Sequence, residues 1–338
     1  MGAALSIAAL APAFADDVNV ARSKEITPAQ ARRLALMSIQ LKDIVKPQVG
    51  VQAQTQAAGT PNEAGLGGFL PLVVGSNSVF FADVLANANF SDWGNSSSII
   101  NTTVAGTTIS TSSRLGYRWL NGDRSWMYGL NAGYDTRPMS TGAADTGIPV
   151  YASRTAFFQQ AAVNAEAVSD KWGFNAYALI PTSEPDEQQL NSVYEGDALT
   201  TIGFDAGYNL TKALRASVGY YYQNGDMNTA DGSGVLGRLA YAINNGLTVG
   251  TNLSYDSAFK SRFSADIKWR FQTNGGPGKE TLKTNTAVAS LTSIPTNRDI
   301  RVHDATNDHD LCHAQNSVYL PCFQSPNPCS GLSKEPTK

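Results

Sequence analysis

From Gln48 onward, hydrophobic and polar residues alternate along the chain with a period of two. Strict alternation indicates a β-strand with one apolar and one polar face. The clearest run sets Phe263, Ala265, Ile267, Trp269 and Phe271 against Arg262, Ser264, Asp266, Lys268 and Arg270. Such runs last about ten residues, whereas an average strand has ~5–6. Tilted strands of that length cross an apolar layer of about 25 Å, so the pattern predicts membrane-spanning strands.

The connections between these runs alternate between short and long. We predict twelve strands, near residues 48–58, 66–75, 79–90, 107–119, 126–137, 154–168, 172–180, 199–210, 213–223, 234–244, 247–256 and 260–271. Connections after even-numbered strands are short, and those after the third, fifth, seventh and ninth are long. Outer-membrane barrels have short periplasmic turns and longer external loops. The sequence therefore predicts an all-β fold, a transmembrane barrel of twelve antiparallel strands over residues 48–272, with both ends on the periplasmic side.

Aromatic residues on the apolar face fit the same fold. We expect them near strand ends, where barrels carry two aromatic girdles at the membrane interfaces. The residues concerned are Trp119, Trp126, Tyr134, Trp172, Tyr208, Tyr222, Tyr255 and Trp269.

The segments outside the barrel divide into four. Residues 1–15 contain a short apolar run that ends in Ala13-Phe14-Ala15, which is typical of a signal peptide. Residues 16–47 are predicted to be periplasmic, with a helix that begins at Thr27-Pro28 and ends near Val45. Residues 273–302 are predicted to be a linker, and residues 303–338 form a tail that contains all the Cys and His of the chain.

Composition excludes several classes of protein. The net charge is −3, so there is no positive excess for binding nucleic acid. The predicted barrel has no His and no Cys, which removes the usual general base and the thiol nucleophile. A carboxylate pair such as Glu166 and Asp205 is a candidate for acid–base chemistry, but salt bridges inside the barrel explain these residues better. We therefore expect no enzymatic activity and no cofactor.

The polar faces of the predicted strands carry charges of both signs. They would face the lumen, either as ion pairs in a filled lumen or as the lining of a water-filled pore. The residues are Arg114, Arg118, Asp135, Glu166, Asp205, Arg215, Arg238, Arg262, Asp266, Lys268 and Arg270.

One hairpin has a recognisable motif. Its segments are Leu115-Gly116-Tyr117-Arg118, Trp126-Met127-Tyr128-Gly129 and Asn131-Ala132-Gly133-Tyr134-Asp135, and Phe69-Leu70-Pro71-Leu72 precedes it. This stretch resembles the β-domain of the inverse autotransporters, the intimin/invasin family. The resemblance extends over residues 48 to about 302.

The resemblance implies a twelve-stranded barrel with a C-terminal linker in its lumen, which carries an adhesive passenger of immunoglobulin-like domains outside the cell. It also implies a filled lumen. The expected partners are outer-membrane lipid, the outer-membrane assembly machinery, and a receptor on a host or neighbouring cell. Residues 303–338 are fewer than the ~100 residues of one immunoglobulin-like domain, so the expected display is of a short segment.

The tail leaves two points open. An exported chain uses Cys mostly for disulfides, so we predict a Cys312–Cys322 disulfide, with another pairing or a metal site as alternatives. The spacing of the three Cys matches no standard zinc pattern, and we predict no metal. For function, the alternative to a surface-displaying anchor is a porin-like channel or a structural barrel with a periplasmic tail. Each of these is expected in the outer membrane of a Gram-negative-type bacterium.

Overall fold

The computed structural model describes residues 27, 30, 34, 36–92, 98–144, 150–151, 153–183, 187–227, 229–244, 246–272 and 285–306. Its strands are β1 (Gln48–Gln54), β2 (Asn62–Val74), β3 (Ser78–Phe90), β4 (Thr102–Val104), β5 (Thr108–Leu120), β6 (Trp126–Ala144), β7 (Thr155–Ser169), β8 (Trp172–Pro181), β9 (Glu187–Gln189), β10 (Tyr194–Ala198), β11 (Thr200–Asn209), β12 (Leu214–Asn224), β13 (Gly232–Asn244), β14 (Leu247–Asp256), β15 (Lys260–Gln272) and β16 (Val302–Thr306). The helices are α1 (Leu41–Ile44) and α2 (Thr286–Ala289), and a 3-10 turn follows at Ser290–Thr292.

Twelve of these strands form a closed antiparallel barrel, as the alternation predicts. Each pairs with its neighbours in the chain order of the barrel strands, and β1 pairs with β15 to close the ring, from Gln48 opposite Gln272 to Gln54 opposite Asp266. Closure leaves no unpaired edge, which a sheet in lipid requires. The fold prediction is confirmed.

The connections define two ends of the barrel. The short-turn end carries the connections 75–77, 121–125, 170–171, 210–213 and 245–246, together with the start of β1 and the end of β15. The long-loop end carries 55–61, 91–107, 145–154, 182–199, 225–231 and 257–259. Two of these loops contain strands of their own. β4 pairs with the outer part of β6, and β9 and β10 form a separate three-stranded sheet with β16.

Several strand ends differ from the prediction. β1 ends at Gln54, because Ala57 and Thr60 form a bridge that turns the chain. β2 begins at Asn62, since its first residues already pair with β3. β6 continues to Ala144, where β4 and β7 provide its outer partners, so Tyr134 lies in the middle of its strand and not near an end.

The predicted helix over residues 27–45 is interrupted. Leu36–Ser38 are helical, but Ile39 and Gln40 separate them from α1, and Gln40 has an extended backbone. Arg124 lies at this interruption, where its guanidinium donates hydrogen bonds to the carbonyl oxygens of Leu36 and Ile39 at 2.7 and 2.8 Å. In the described part of the chain, no helix has the length and apolar character needed to span a membrane.

Candidate functional site: the lumen and its plug segment

Residues 285–306, here called the plug segment, run through the barrel from the short-turn end to the long-loop end. At the short-turn end, the Asn285 side-chain amide donates to the carbonyl oxygen of Arg124 at 2.6 Å, and the Thr286 amide donates to Asp170 Oδ1 at 2.9 Å. At the long-loop end, β16 pairs with β10 over five residue pairs. The segment therefore crosses the full height of the barrel.

The short-turn end of the lumen is filled by apolar side chains. Asn285 caps the N-terminus of α2, and its Oδ1 accepts a hydrogen bond from the Val288 amide. Ala287 and Val288 of α2 and Leu291 of the following 3-10 turn face the barrel wall. These residues pack in one buried cluster with wall residues and with the segment before β1: Leu41, Val45, Phe69, Val79, Phe81, Leu120 and Met127. Burial of such side chains contributes about 1.5–3 kcal/mol each, so this cluster is an apolar seal around the plug segment.

Arg118 connects the seal to the wall. Its Nη1 donates to the carbonyl oxygens of Leu291 and Ser293 at 3.1 and 2.7 Å, and its Nε donates to Glu166 at 2.6 Å. The guanidinium also lies 4.6 Å from the ring centroid of Phe81. The buried guanidinium of Arg118 thus donates hydrogen bonds to two carbonyl oxygens at the end of the 3-10 turn that have no backbone partner among the described residues.

Buried ion pairs hold the middle of the plug segment. Arg114 forms a two-point contact with Asp135 at 2.6 and 2.8 Å, and its Nη2 reaches the carbonyl oxygen of Asn297 at 3.1 Å. Gln160 donates to Asp135 Oδ2 at 2.8 Å and to the Asp299 carbonyl at 3.4 Å. Three neighbouring wall strands, β5, β6 and β7, therefore present one network to the plug backbone.

Asp83 is the wall residue with the most direct ionic contact to the plug. It is fully buried, and its two oxygens accept from Arg298 of the plug at 2.6 Å and from Arg270 of β15 at 2.7 Å. Arg298 also donates to the Asp83 carbonyl oxygen at 3.2 Å. A single carboxylate thus serves two guanidinium groups, one on the wall and one on the plug.

At the long-loop end, two arginines join the plug to the β1–β2 loop. Arg137 Nη1 donates to the carbonyl oxygens of Gly59 and Ile300 at 2.5 and 2.6 Å. Arg301 pairs with Asp256 at 3.1 Å and stacks over Tyr221 at 4.5 Å from the ring centroid. These contacts fix the point at which the plug leaves the lumen.

Beyond the lumen, β16 is buried under three long loops. Asp304 accepts hydrogen bonds from the amides of Ile100 and Asn101, and burial raises the pKa of its carboxyl above the ordinary value. His303 Nδ1 lies 3.1 Å from Thr229 Oγ1, and burial lowers the pKa of its imidazole to about 4. The predicted boundary between linker and tail, at residues 302 and 303, falls inside this strand.

Beside the plug, a polar cavity of about 490 Å³ remains open. It lies between the plug and the part of the wall formed by β8, β11–β15 and β1, and Glu166 and Val168 of β7 also line it. The rest of the wall, β2, β3 and β5–β7, makes most of the contacts described above. The plug therefore fills one side of the lumen.

The structure places all eleven sequence-predicted charges on the face opposite the apolar belt. Seven of them are brought into ion pairs: Arg114 with Asp135, Arg118 with Glu166, Arg238 with Asp266, and Arg270 with Asp83. The other four form no ion pair with another described residue: Asp205, Arg215, Arg262 and Lys268. Lumen-facing charges thus form ion pairs where the wall contacts the plug, and fewer of them do so beside the cavity.

Sequence reasoning missed five charged residues that hold the plug: Asp83, Arg137, Asp256, Arg298 and Arg301. Asp83 and Arg137 lie on predicted strands, at the same parity as neighbours that face inward, and this parity was the available signal. Arg298 and Arg301 lie in the predicted linker, where no periodicity marks them.

The hairpin motif has a structural explanation. Its glycines face the lumen, and each lies under a large side chain. A Cβ at Gly116 would lie 2.4 Å from the Phe81 ring, one at Gly129 would lie 2.6 Å from Glu166, and one at Gly133 would lie 2.9 Å from Arg114 Cδ. Asn131 accepts from Asn164 at 3.3 Å, and the outward residues of the motif are Leu115, Tyr117, Trp126 and Tyr134. The glycines let the plug-binding side chains lie flat against the wall.

The described ranges contain no group of three or more His, Cys, Asp or Glu placed to hold a metal ion. The predicted Cys312–Cys322 disulfide and the predicted signal peptide lie outside the described residues.

Comparison with known proteins supports the fold. No family model matches the sequence, and no curated protein matches it. A solved structure from work on in-meso crystallisation of membrane proteins superposes at TM-score 0.55 with 11% identity, over 77% of this chain and 100% of that one. An outer-membrane channel from Pseudomonas putida F1 superposes at TM-score 0.42 with 12% identity, over 67% of this chain and 95% of that one. A Salmonella typhi outer-membrane phospholipase dimer with bound calcium superposes at TM-score 0.37 with 12% identity, over 71% of this chain and 96% of that one. The chain has the fold of a closed, twelve-stranded antiparallel β-barrel, like these solved structures of membrane proteins.

Proposed function

We propose that this protein is an outer-membrane anchor of the inverse-autotransporter type, which carries its own C-terminal segment through the barrel and displays it at the cell surface. The observation that carries this proposal is the path of residues 285–306 through the lumen, bonded to the wall at both ends and in the middle. The motif that resembles the intimin/invasin family supports it, because its Arg118, Gly129, Gly133 and Asp135 belong to the wall that seats the plug.

Orientation follows from the connections. Short turns of outer-membrane barrels face the periplasm and long loops face outward. With that orientation, the plug enters from the periplasm and β16 emerges outside. The displayed segment then has a role in adhesion or surface attachment, with a receptor on a host or neighbouring cell as its partner, and outer-membrane lipid and the assembly machinery as partners of the barrel. No enzymatic step is part of this function.

Protease shaving of intact cells tests the proposal. An epitope placed after Lys338 should be removed by external protease, whereas the same epitope inserted in the 210–213 turn should survive until the outer membrane is permeabilised. Protection of both epitopes would put the tail in the periplasm and overturn display. Loss of the turn epitope together with protection of the C-terminal epitope would reverse the orientation of the barrel.

A porin-like channel is the second candidate, and the open cavity beside the plug is the observation that favours it. A porin passes solutes through an unobstructed lumen. In this barrel, the apolar seal at the short-turn end and the Arg301–Asp256 contact at the long-loop end both narrow that route. Uptake of a small sugar by vesicles that contain the purified chain would favour the porin, and its absence would favour the anchor.

A further inference from the structure

The cavity beside the plug extends over much of the barrel height. Near the short-turn end it is lined by Gly173 and Arg215, and near the long-loop end by Thr201 and Tyr221. Its volume is about 490 Å³, and a single water needs ~10–15 Å³ of such space. The cavity therefore has room for many water molecules between the plug and the wall.

Glycines keep this side of the lumen open. The Arg215 side chain lies over two neighbouring strands, where a Cβ at Gly173 would come within 2.1 Å of its Nη2 and a Cβ at Gly207 within 2.6 Å of its Nε. Tyr177 lies in the same way over Gly203, with its ring 2.3 Å from the position of a Cβ. Without these glycines, the long side chains would have to project into the cavity.

Charged side chains line this cavity. Arg215 and Lys268 line it, and neither forms a direct ion pair with another described residue. Asp205 lines it as well, over Gly219, and takes part in no ion pair within the described ranges. Pores select ions by means of charged side chains that line a narrow, water-filled passage.

We infer that this cavity is a hydrated passage beside the plug, which conducts small ions while the plug segment stays in the lumen. This activity goes beyond the display of a segment and does not depend on it. The passage takes small inorganic ions, and Arg215 and Asp205 act on their selectivity with opposite signs because they are the opposite charges on its wall.

The test is ion conductance of the full folded chain in a planar bilayer under a potassium chloride gradient. We expect a steady conductance in the unmodified protein. Arg215→Gln removes a positive charge and should shift the reversal potential toward potassium selectivity, whereas Asp205→Asn should shift it toward chloride. Gly207→Ala moves the guanidinium off the wall and should lower the conductance at least twofold.

Gly237→Ala is the matched control. Gly237 lies on the outward face of β13, where the nearest atom to a new Cβ is 3.9 Å away, so conductance should not change. Bilayers that stay silent with folded protein incorporated would overturn the passage, as would a conductance insensitive to all three lumen variants. Protease shaving of the epitope on intact cells measures surface display independently of conductance. A silent bilayer with an exposed tag overturns the passage alone, and a variant-sensitive conductance with a protected tag supports the passage and overturns display.

Discussion

The contact between Asp83 and the plug gives the sharpest prediction of stability. Asp83→Asn keeps the shape of the side chain but leaves two buried guanidinium groups, Arg298 and Arg270, without their shared carboxylate. Arg298→Met removes the plug's cation and leaves the ion pair between Asp83 and Arg270 intact. The two substitutions remove the same contact, but only the first creates uncompensated charge.

The structure sets the order of the two effects. Breaking a buried ion pair so that a charge remains unpaired costs about 3–5 kcal/mol. Loss of a hydrogen bond to a charged group costs about 1.5–3 kcal/mol, part of which the buried methionine side chain offsets. Asp83→Asn should therefore lower the free energy of unfolding by more than Arg298→Met does. The double variant should cost less than the sum, because it removes one of the two stranded cations.

Urea titration of the barrel in lipid vesicles, with folded protein scored by its migration on unheated gels, measures these differences. Asp43→Asn is the control, since Asp43 is an exposed carboxylate outside the barrel, and it should unfold like the unmodified protein. Equal costs for Asp83→Asn and Arg298→Met, or costs that add in the double variant, would refute the shared role of this carboxylate.

Three further predictions concern the plug and the wall. Burial lowers the pKa of His303 from 6.5 to about 4, so as the pH falls the unfolded chain takes up a proton on this imidazole before the folded chain does. The free energy of unfolding should therefore be highest above about pH 6.5 and fall by up to ~3 kcal/mol toward pH 4. His303→Gln should flatten this pH dependence in urea titrations between pH 7.5 and 4.5. Leu291→Ala should cost about 2–5 kcal/mol through the cavity it leaves in the apolar seal, and heating before gel analysis should show it, whereas Leu34→Ala, at an exposed position, should have no effect. Gly133→Ala should reduce the folded fraction on unheated gels, because its Cβ would lie 1.7 Å from the Ser113 carbonyl oxygen, while Gly68→Ala, with its nearest contact at 3.5 Å, should assemble normally.

The barrel could be predicted because lipid acts on every second residue of each strand. Alternation fixes both the existence and the face of long strands such as β15, and the parity of the connections fixes their number. The strands outside the barrel carry no such signal. β16 has five residues, and its partner β10 precedes it by more than a hundred positions, so only the convergence of the long loops brings them together.

The lumen could be predicted only as a set of charges. Alternation marks Arg114 and Asp135 as inward but does not show that they pair, since a side chain reaches several positions on neighbouring strands. Asp83 was not predicted as a lumen charge because Phe81 and Leu85 of the same strand also face inward. The inward face of this strand is therefore not uniformly polar in sequence. Phe81 faces inward because that part of the lumen contacts α2 and not water. A buried segment from elsewhere in the chain changes what a polar face contains.

Glycine is the sequence feature that best reflects an occupied lumen. A barrel filled by its own side chains would have large residues at inward positions throughout. Here Gly116, Gly129 and Gly133 on the plug side, and Gly173 and Gly207 on the cavity side, each lie beneath a side chain, from a strand one or two positions away, that a Cβ would displace. Those side chains lie along the wall and leave the axis of the barrel free. On one side of the lumen the freed space holds the plug segment, and on the other side it forms the polar cavity. Glycine at inward positions therefore accounts for both features.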